Sequence, residues 1–205
     1  IPISFTQDTP GPMARSVSDA AIALGTMVGV DSADAKTLGS SEHAYTDYTP
    51  FLNENGLAGK RIGVYKRPLG RHFKVDAIFE ETTTYLKEQG ATLIDIDQIE
   101  ASGTGSNSFQ VMLFEYKDGL NKYFASLGEN APIKSVEELI AFNEADSVEM
   151  SFYNQKYLEM AQEKESLDSE EYQIALRKLM LGCSENGIDN VMDEHQFDAI
   201  IASSG

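Results

Sequence analysis

Histidine and cysteine, the side chains most often used for metal binding and nucleophilic catalysis, are few and scattered in this sequence. His43, His72 and His195 lie far apart, and none has the i, i+4 spacing or the partner cysteines of a metal site. We therefore predict three surface histidines and no metal ion. Cys183 follows the apolar residues 179–181, which predicts a buried, unreactive thiol.

Three other stretches have residue types that occur in active sites but lack the required spacing. The sequence GTGS (103–106) is neither GxxxxGK[ST] nor GxGxxG, so it predicts a flexible loop rather than a phosphate site. Glutamate pairs at 137–138 and 170–171 are typical of solvated helix surfaces. The residues SSG (203–205) follow an apolar stretch but are not a GxSxG nucleophile turn.

Polar and charged side chains alternate with an apolar stripe in FEYKDGLNKYF (114–124). Lys117 and Asn121 are four residues apart, so a helix would place them on one face. Two interpretations fit this pattern, a solvated helix face and the wall of a pocket. The first is favoured because charged helix faces usually contact water.

Composition limits the classes of function. Sixteen basic residues against 33 acidic ones give a net charge of −17, which repels phosphate backbones and anionic membranes. We therefore expect neither nucleic-acid nor membrane binding, and no apolar run approaches the length of about 18 residues that a membrane span needs. A single cysteine cannot form an internal disulfide, so we expect a cytoplasmic protein.

The clearest structural unit is a strand, a helix and a strand within residues 60–97. RIGVYK (61–66) and TLIDI (92–96) are apolar strands, and the residues between them have helical spacing up to Gly90. A connection of this length predicts a right-handed crossover and two parallel strands.

Helices dominate the remaining prediction. Ser16 and Asp19 form a capping-box pattern that opens a helix at 17–29, and Ser135 with Glu138 opens another. We predict a long aperiodic connection at 31–59, helices at 151–164 and 170–186 within a helical region spanning 107–195, and a final strand at 197–205. The fold class is α/β, with a large helical insertion between the second and third strands.

The opening stretch resembles the segment that follows the signature region of amidase signature enzymes. The family pattern S-x-D-T-x-G-P-M-A-R, followed by S/T-V-x-D-A-A, stands here from Ser4 to Ala21. LAGKRIGV (57–64), EYKDGLNKYFASL (115–127) and FDAIIASSG (197–205) also resemble parts of that family. The resemblance covers essentially all 205 residues and implies part of the family's mixed sheet, with a βαβ unit and a helical insertion.

This resemblance implies a role for the turn at residues 8–15. It connects the sheet of the catalytic core to the helix that follows, so residues 1–30 are expected to form the turn and helix after that core. Pro10 and Pro12 fix φ, and Gly11 is expected to take a conformation that other residues resist. Asp8, Thr9, Gly11 and Arg15 match the motif, and either a structural or a pocket role is expected for them.

The resemblance also implies amide hydrolysis by a Ser–Ser–Lys triad without a cofactor. In the family these groups lie before the turn, so no catalytic residue is assigned to this chain. We expect a partial amidase domain, residues 1–205, that is inactive by itself. The absence of Met at position 1 and the end on a strand favour a fragment. The helical region would contribute to the pocket for a small-molecule amide, and the candidates for its wall are Glu115, Lys117, Asn121 and Tyr123.

An alternative is an acidic, non-catalytic ligand-binding α/β domain. It predicts a natural chain that starts near Ile1 and is stabilised by a small ligand. For a fragment, loss of neighbouring sheet strands would expose edges and apolar faces. We therefore expect self-association, or an altered fold, near residues 1–12 and 200–205.

Overall fold

The computed structural model describes residues 3–203, except for the side chain at position 149. Within the described residues, the β-strands are β1 (Arg61–Tyr65), β2 (Thr92–Ile96) and β3 (Ala199–Ala202). The α-helices are α1 (Val17–Met27), α2 (Phe73–Glu88), α3 (Thr104–Ser126), α4 (Val136–Ala145), α5 (Glu149–Phe152), α6 (Lys156–Gln162), α7 (Glu170–Cys183) and α8 (Asp189–His195). Among the described residues, no helix is long and apolar enough to cross a membrane.

The three strands form a parallel sheet in the order β2–β1–β3. The register pairs Ile62 with Leu93 on one side and with Ala199 on the other. Strand β1 is central and almost entirely buried, which explains its continuous apolar sequence. The predicted parallel β1–α2–β2 crossover is confirmed.

Two helix starts follow the capping patterns. The hydroxyl of Ser16 accepts the amide hydrogen of Asp19, and that of Ser135 accepts the amide hydrogen of Glu138, both at 3.1 Å. The Glu138 carboxylate accepts from the amide of Lys134 at 2.6 Å, one residue before the position that a capping box uses. Serine capping was therefore predicted correctly, whereas the reciprocal bond at α4 is shifted by one residue.

Residues 31–59 form a long connection between α1 and β1, as predicted, and most of them are exposed. The connection contains two short 3-10 helices, Ala35–Ser40 and Thr49–Phe51, and the Asp34 carboxylate caps the first of them. Three local predictions were wrong. The predicted helix at 151–164 is interrupted between α5 and α6. There the side chain of Gln155 is buried and donates to the carbonyl of Ile140, while its backbone leaves helical geometry.

The other two errors concern GTGS and the cysteine. GTGS is not a flexible loop, because Gly103, at φ 83°, is the N-cap of α3. Cys183, at the end of α7, is exposed rather than buried. The spacing of apolar residues along a helix does not show whether another segment covers its last residue, so the exposure of Cys183 could not be predicted from it.

The chain divides into two compact units. The helical unit comprises Ile1–Asp8 and Ile99–Asn190, and the strand unit comprises Thr9–Gln98 and Val191–Gly205. The N-terminal segment therefore belongs to the helical unit, although it is distant from that unit in sequence. This division was not apparent from the sequence.

The core of the helical unit lies between α3 and α7. Its buried cluster consists of Val111, Phe114, Tyr172, Ala175 and Leu179. Gly182 of α7 faces Thr104 of α3, and a Cβ on Gly182 would lie 2.3 Å from Oγ1 of Thr104. A larger side chain at position 182 would therefore force either the Thr104 side chain or α3 to shift.

In the strand unit, polar contacts fasten the start of β1 to the chain that leads into β3. The Arg61 guanidinium donates to the carbonyl of His195, at 3.0 and 3.1 Å. The carboxylate of Asp198 accepts from Nζ of Lys60 at 2.7 Å and from the amide of Arg61 at 2.9 Å. These bonds fix the parallel register at the N-terminal end of the two strands.

Candidate functional site

The turn residues Asp8, Thr9, Gly11 and Arg15 are all exposed. The carboxylate of Asp8 accepts the amide hydrogens of Ile3 and Ser4, at 2.9 and 3.0 Å, so it closes a local loop. Gly11 was expected to need an unusual conformation, but its φ is not in the left-handed region and no atom would meet a Cβ there. Glycine is therefore not required at position 11 by backbone geometry in this structure.

Glu115 is the most buried charged side chain described, with 1% of its surface exposed. Its Oε2 accepts from Oγ of Ser4 at 2.6 Å and from the amide of Thr6 at 3.1 Å. Its Oε1 accepts from Oγ1 of Thr6 at 2.8 Å and from the hydroxyl of Tyr172 at 2.7 Å. At position 115, the favoured interpretation as a solvated face was wrong, because the side chain points into the interior of the helical unit.

The electrostatics of this cluster affect the tyrosine. Desolvation raises the pKa of Tyr172 well above its ordinary value of 10.0, and the hydrogen bond and negative charge of Glu115 raise it further. A phenolate at this position would be buried beside a carboxylate. Tyr172 therefore remains a neutral hydrogen-bond donor and is unsuited to act as a base near neutral pH.

Lys117 and Asn121 lie on one face of α3, as their spacing predicts, and both line a cavity of about 340 Å³. The ammonium of Lys117 donates to the carbonyls of Gln162 and Lys164, at 2.8 and 2.5 Å. Oδ1 of Asn121 accepts the amide hydrogen of Val136 at 2.9 Å, so this side chain also holds the first turn of α4. The cavity thus has a polar wall whose side chains are fixed.

The other two predicted wall residues lie elsewhere. Neither Glu115 nor Tyr123 lines the cavity beside Lys117. The ring of Tyr123 is partly exposed and lies near that of Phe124, with a centroid distance of 5.8 Å. The structure therefore brings two of the four predicted residues to one cavity.

Four residues that line this cavity could not be identified from the helical stripe. They come from the connection between α6 and α7 and are Lys164, Glu165, Ser166 and Leu167. The ammonium of Lys164 donates to Oε1 of Glu171 at 2.8 Å and lies 5.1 Å from the centre of the Phe114 ring. The side-chain nitrogens of both lysines are thus held in place by hydrogen bonds.

A second cavity in the helical unit, of about 250 Å³, was missed by sequence reasoning. Its lining combines aromatic rings with side-chain amides, including Tyr116, Tyr157, Asn143 and Gln155. Nδ2 of Asn143 donates to Oε1 of Gln155 at 3.2 Å, so this part of the wall is ordered by hydrogen bonding. Residues 153–155, where the predicted helix at 151–164 is interrupted, line the cavity, and no spacing pattern signals that interruption.

The described residues provide no complete catalytic constellation that we can assign. Within this part of the chain, no group of histidine, cysteine, aspartate or glutamate could hold a metal ion. Partial desolvation and the charge of Glu100 raise the pKa of the Cys183 thiol, which opposes formation of the reactive thiolate. What the geometry offers is binding surface and internal support.

The chain is similar in sequence to amidases and to amidotransferase subunits. It is 33% identical over 209 residues to a probable amidase of Arabidopsis thaliana, covering 98% of this chain and 39% of that protein. A glutamyl-tRNA(Gln) amidotransferase subunit of Acinetobacter baylyi is 32% identical over 119 residues, which cover 57% of this chain and 24% of that protein. The chain therefore spans about two fifths of the length of the first of these relatives.

Solved structures agree with this similarity. The native peptide amidase of Stenotrophomonas maltophilia matches with a TM-score of 0.87 and 36% identity, covering 98% of this chain and 41% of that protein. The α/β fold described above is accordingly an amidase fold. Since the family model named Amidase also matches residues 1–204, the chain belongs to the amidase family.

Proposed function

We propose that the complete protein carrying this chain hydrolyses carboxylic amides to a carboxylate and ammonia. A serine hydroxyl outside these residues attacks the amide carbonyl, ammonia leaves, and water releases the acid from the acyl-enzyme. A second serine and a lysine, also outside the chain, complete the Ser–Ser–Lys triad. No metal or cofactor takes part in this scheme.

The match of residues 1–204 to the amidase family carries this proposal. It is supported by the similarity of nearly the whole chain to a peptide amidase and to a probable amidase. The chain covers only 41% and 39% of those proteins. We therefore propose that the 205 residues contribute structure and binding surface, and that alone they are inactive.

The cavity beside α3 is the candidate binding surface. Its wall includes Lys117 and Asn121, held by backbone partners, together with the ring of Phe114. A fixed set of donors beside an aromatic ring suits an amide substrate with a polar acyl group. We propose that these residues line part of the pocket that receives it. The turn residues Asp8, Thr9, Gly11 and Arg15 support the connection to the core.

Ammonia release from three classes of substrate tests the activity. The complete protein is assayed with an aliphatic amide, an aromatic amide and a C-terminally amidated peptide, and the 205-residue chain is assayed in parallel. We expect the complete protein to release ammonia from at least one class and the short chain to release none. Turnover by the short chain would contradict the proposed location of the triad.

Absence of turnover by the complete protein with all three classes would contradict the amidase proposal. In that case, an increase in the melting temperature with any of these amides would favour the non-catalytic ligand-binding alternative. For the pocket, Lys117→Met is compared with Lys178→Met, an exposed lysine on α7. We expect only the first substitution to raise KM, by about tenfold, because it removes a donor from the wall.

A further inference from the structure

We propose that Glu115 is a positioning residue for this activity: its carboxylate anchors residues 4–6, directly before the family turn, to α3 and α7. The inference rests on the proposed amide hydrolysis. It assigns to a residue predicted for the pocket wall a different task in the interior. The contacts around this one buried carboxylate support the assignment.

The anchor joins segments that are distant in sequence. Through Oε2, Glu115 binds the Ser4 hydroxyl and the Thr6 amide, which are more than 100 residues away. Through Oε1 it binds the hydroxyls of Thr6 and of Tyr172, the latter from α7. One side chain therefore holds the N-terminal segment to two helices at once.

Because these hydrogen bonds are buried, losing them would be costly in free energy. Ser4 and Tyr172 are 2% and 3% exposed, so water cannot readily replace the carboxylate as their partner. Hydrogen bonds to a charged acceptor are about twice as strong as neutral ones. A carboxylate without these donors would be costly to bury. The cluster is thus stable only when the segment is in place.

The anchored segment also forms a local loop, which is held by hydrogen bonds within residues 3–8. The amides of Gln7 and Asp8 donate to the carbonyl of Ser4, at 2.9 and 2.7 Å. The Asp8 carboxylate returns to the amides of Ile3 and Ser4. Residues 3–8 are therefore linked to one another by hydrogen bonds and, through Glu115, to α3 and α7, and the family turn continues from Asp8 along the chain.

Two substitutions at Glu115 separate the shape of the side chain from its charge. Glu115→Ala removes every acceptor. Glu115→Gln retains the shape, since its oxygen can occupy the Oε2 position and accept from the Thr6 amide. Its NH2 group then donates to the hydroxyls of Thr6 and Tyr172, which can rotate to accept. The glutamine variant should therefore rescue geometry but with weaker, neutral hydrogen bonds.

The experiment uses the complete protein with three substitutions: Glu115→Ala, Glu115→Gln, and Glu137→Gln as a control at an exposed glutamate of α4. Hydrogen exchange is measured at the amides of residues 4–8, and kcat and KM are measured for the best amide substrate. For Glu115→Ala we expect exchange at least about tenfold faster. We also expect kcat to fall by about tenfold or more, with KM changed by less than about threefold.

Glu115→Gln should recover kcat to within about threefold of wild type, and Glu137→Gln should change nothing. If Glu115→Ala does not fold, Thr6→Val provides the test. It leaves the glutamate but removes the Thr6 hydroxyl, which lies 2.8 Å from Oε1 and 2.9 Å from Oε2 of Glu115 and donates to this carboxylate. We expect the same directions of change at residues 4–8 and in kcat, with smaller size.

Wild-type exchange at residues 4–8 in both Glu115→Ala and Thr6→Val would show that the carboxylate does not anchor the segment. Faster exchange with unchanged kcat would show an anchor without a role in catalysis, which also overturns the proposal. If the wild-type protein releases no ammonia from any amide, the proposed function fails, and with it the positioning role. The exchange data would then still decide whether the anchor exists.

Discussion

The two units differ in which side chains they bury and which they expose. The helical unit buries a carboxylate, Glu115, and surrounds it with donors. The strand unit leaves an apolar groove of about 490 Å³ open, between α1 and the chain around the second 3-10 helix. Val17 and Phe51 line this groove and are 74% and 62% exposed. The helical unit thus buries a charged group that is fully hydrogen-bonded, whereas the strand unit exposes apolar side chains to solvent.

This difference shows that the polarity of a side chain does not by itself decide whether it is buried in this chain. What decides is whether other residues supply hydrogen bonds to it or cover it. Glu115 is buried because its donors come from residues 4–6 and from α7, which supply what water would supply. The groove is exposed because nothing among the described residues covers it. Large exposed apolar patches are typical of surfaces that contact another chain or another segment.

The largest expected effect tests how tightly the helical unit is packed. Gly182→Ala would place a methyl group 2.3 Å from Oγ1 of Thr104, whose hydroxyl is already bound to the carbonyl of Ala101. We expect the free energy of unfolding to fall by about 2 kcal/mol, because either the Thr104 hydroxyl must leave its hydrogen bond or α3 and α7 must separate. Chemical denaturation measures this change.

Gly105→Ala is the matched control for that substitution. It also lies in a helix, but no atom of a neighbouring element lies within 4 Å of the position that its methyl group would take. We expect a stabilisation of about 0.5 kcal/mol from reduced backbone entropy. Equal losses from both substitutions would contradict the close packing between α3 and α7.

The next effect concerns the buried cluster. Tyr172→Phe removes one of the donors to Glu115 while retaining the ring, so we expect a loss of about 1.5 kcal/mol at pH 7. The folded pKa of Tyr172 is raised above 10.0, so its stabilising contribution is complete below pH 10 and is lost as pH rises further. The stability difference between wild type and variant should therefore narrow above pH 10, as measured by urea unfolding across pH 8–12.

Removing a tyrosine at an exposed position provides the comparison. Tyr85→Phe, on α2, should leave both stability and its alkaline dependence nearly unchanged. A constant difference between wild type and Tyr172→Phe up to pH 12 would show that the phenol ionises as freely in the folded state as in the unfolded state.

The apolar groove should affect association more than folding. Phe51→Ser changes an exposed ring, so we expect little change in unfolding free energy. We predict that the 205-residue chain self-associates through this groove, and that Phe51→Ser weakens association by about tenfold, or 1.4 kcal/mol. Light scattering over a range of concentrations measures the change.

Ile78→Ser is the control, since Ile78 is equally exposed on α2 but lies outside the groove. It should not alter association. A monomeric wild-type chain at all concentrations would contradict the prediction. Association was expected near residues 1–12 and 200–205, and residues 1, 2, 204 and 205 lie outside the described part of the chain; whether those ends contribute stays a prediction.

The smallest effect is at the start of β1. The hydrogen bonds from Lys60 and from the Arg61 amide lower the pKa of Asp198, so its contribution is present above pH 3.8 and is lost as pH falls through the lowered value. Asp198→Asn should slightly lower the free energy of unfolding above pH 3.8, and this difference from wild type should narrow as pH falls further, as measured by urea unfolding at decreasing pH. High salt should reduce this difference, because the pair is exposed. A larger effect of Asp97→Asn, an exposed aspartate after β2, would contradict this assignment.

Much of the fold could be predicted from local pattern. The apolar strand β1, the amphipathic helix α2 and strand β2 have the spacing and length that only a parallel crossover satisfies, and Ser16 and Ser135 mark two helix starts. Gln155 was missed because a helix interruption depends on the carbonyl of Ile140, which the side chain reaches only in the folded protein. Cys183 was misplaced because an apolar neighbourhood in sequence does not determine which side of a helix end is covered.

The candidate site divides in the same way. The sequence by itself determined the family, the parallel strand–helix–strand unit, and the shared helix face of Lys117 and Asn121, since these depend on spacing along the chain. Only the tertiary structure decided that Glu115, two residues before Lys117, faces the interior. The physical reason is that a carboxylate is buried only where donors meet it, and those donors are supplied by Ser4, Thr6 and Tyr172.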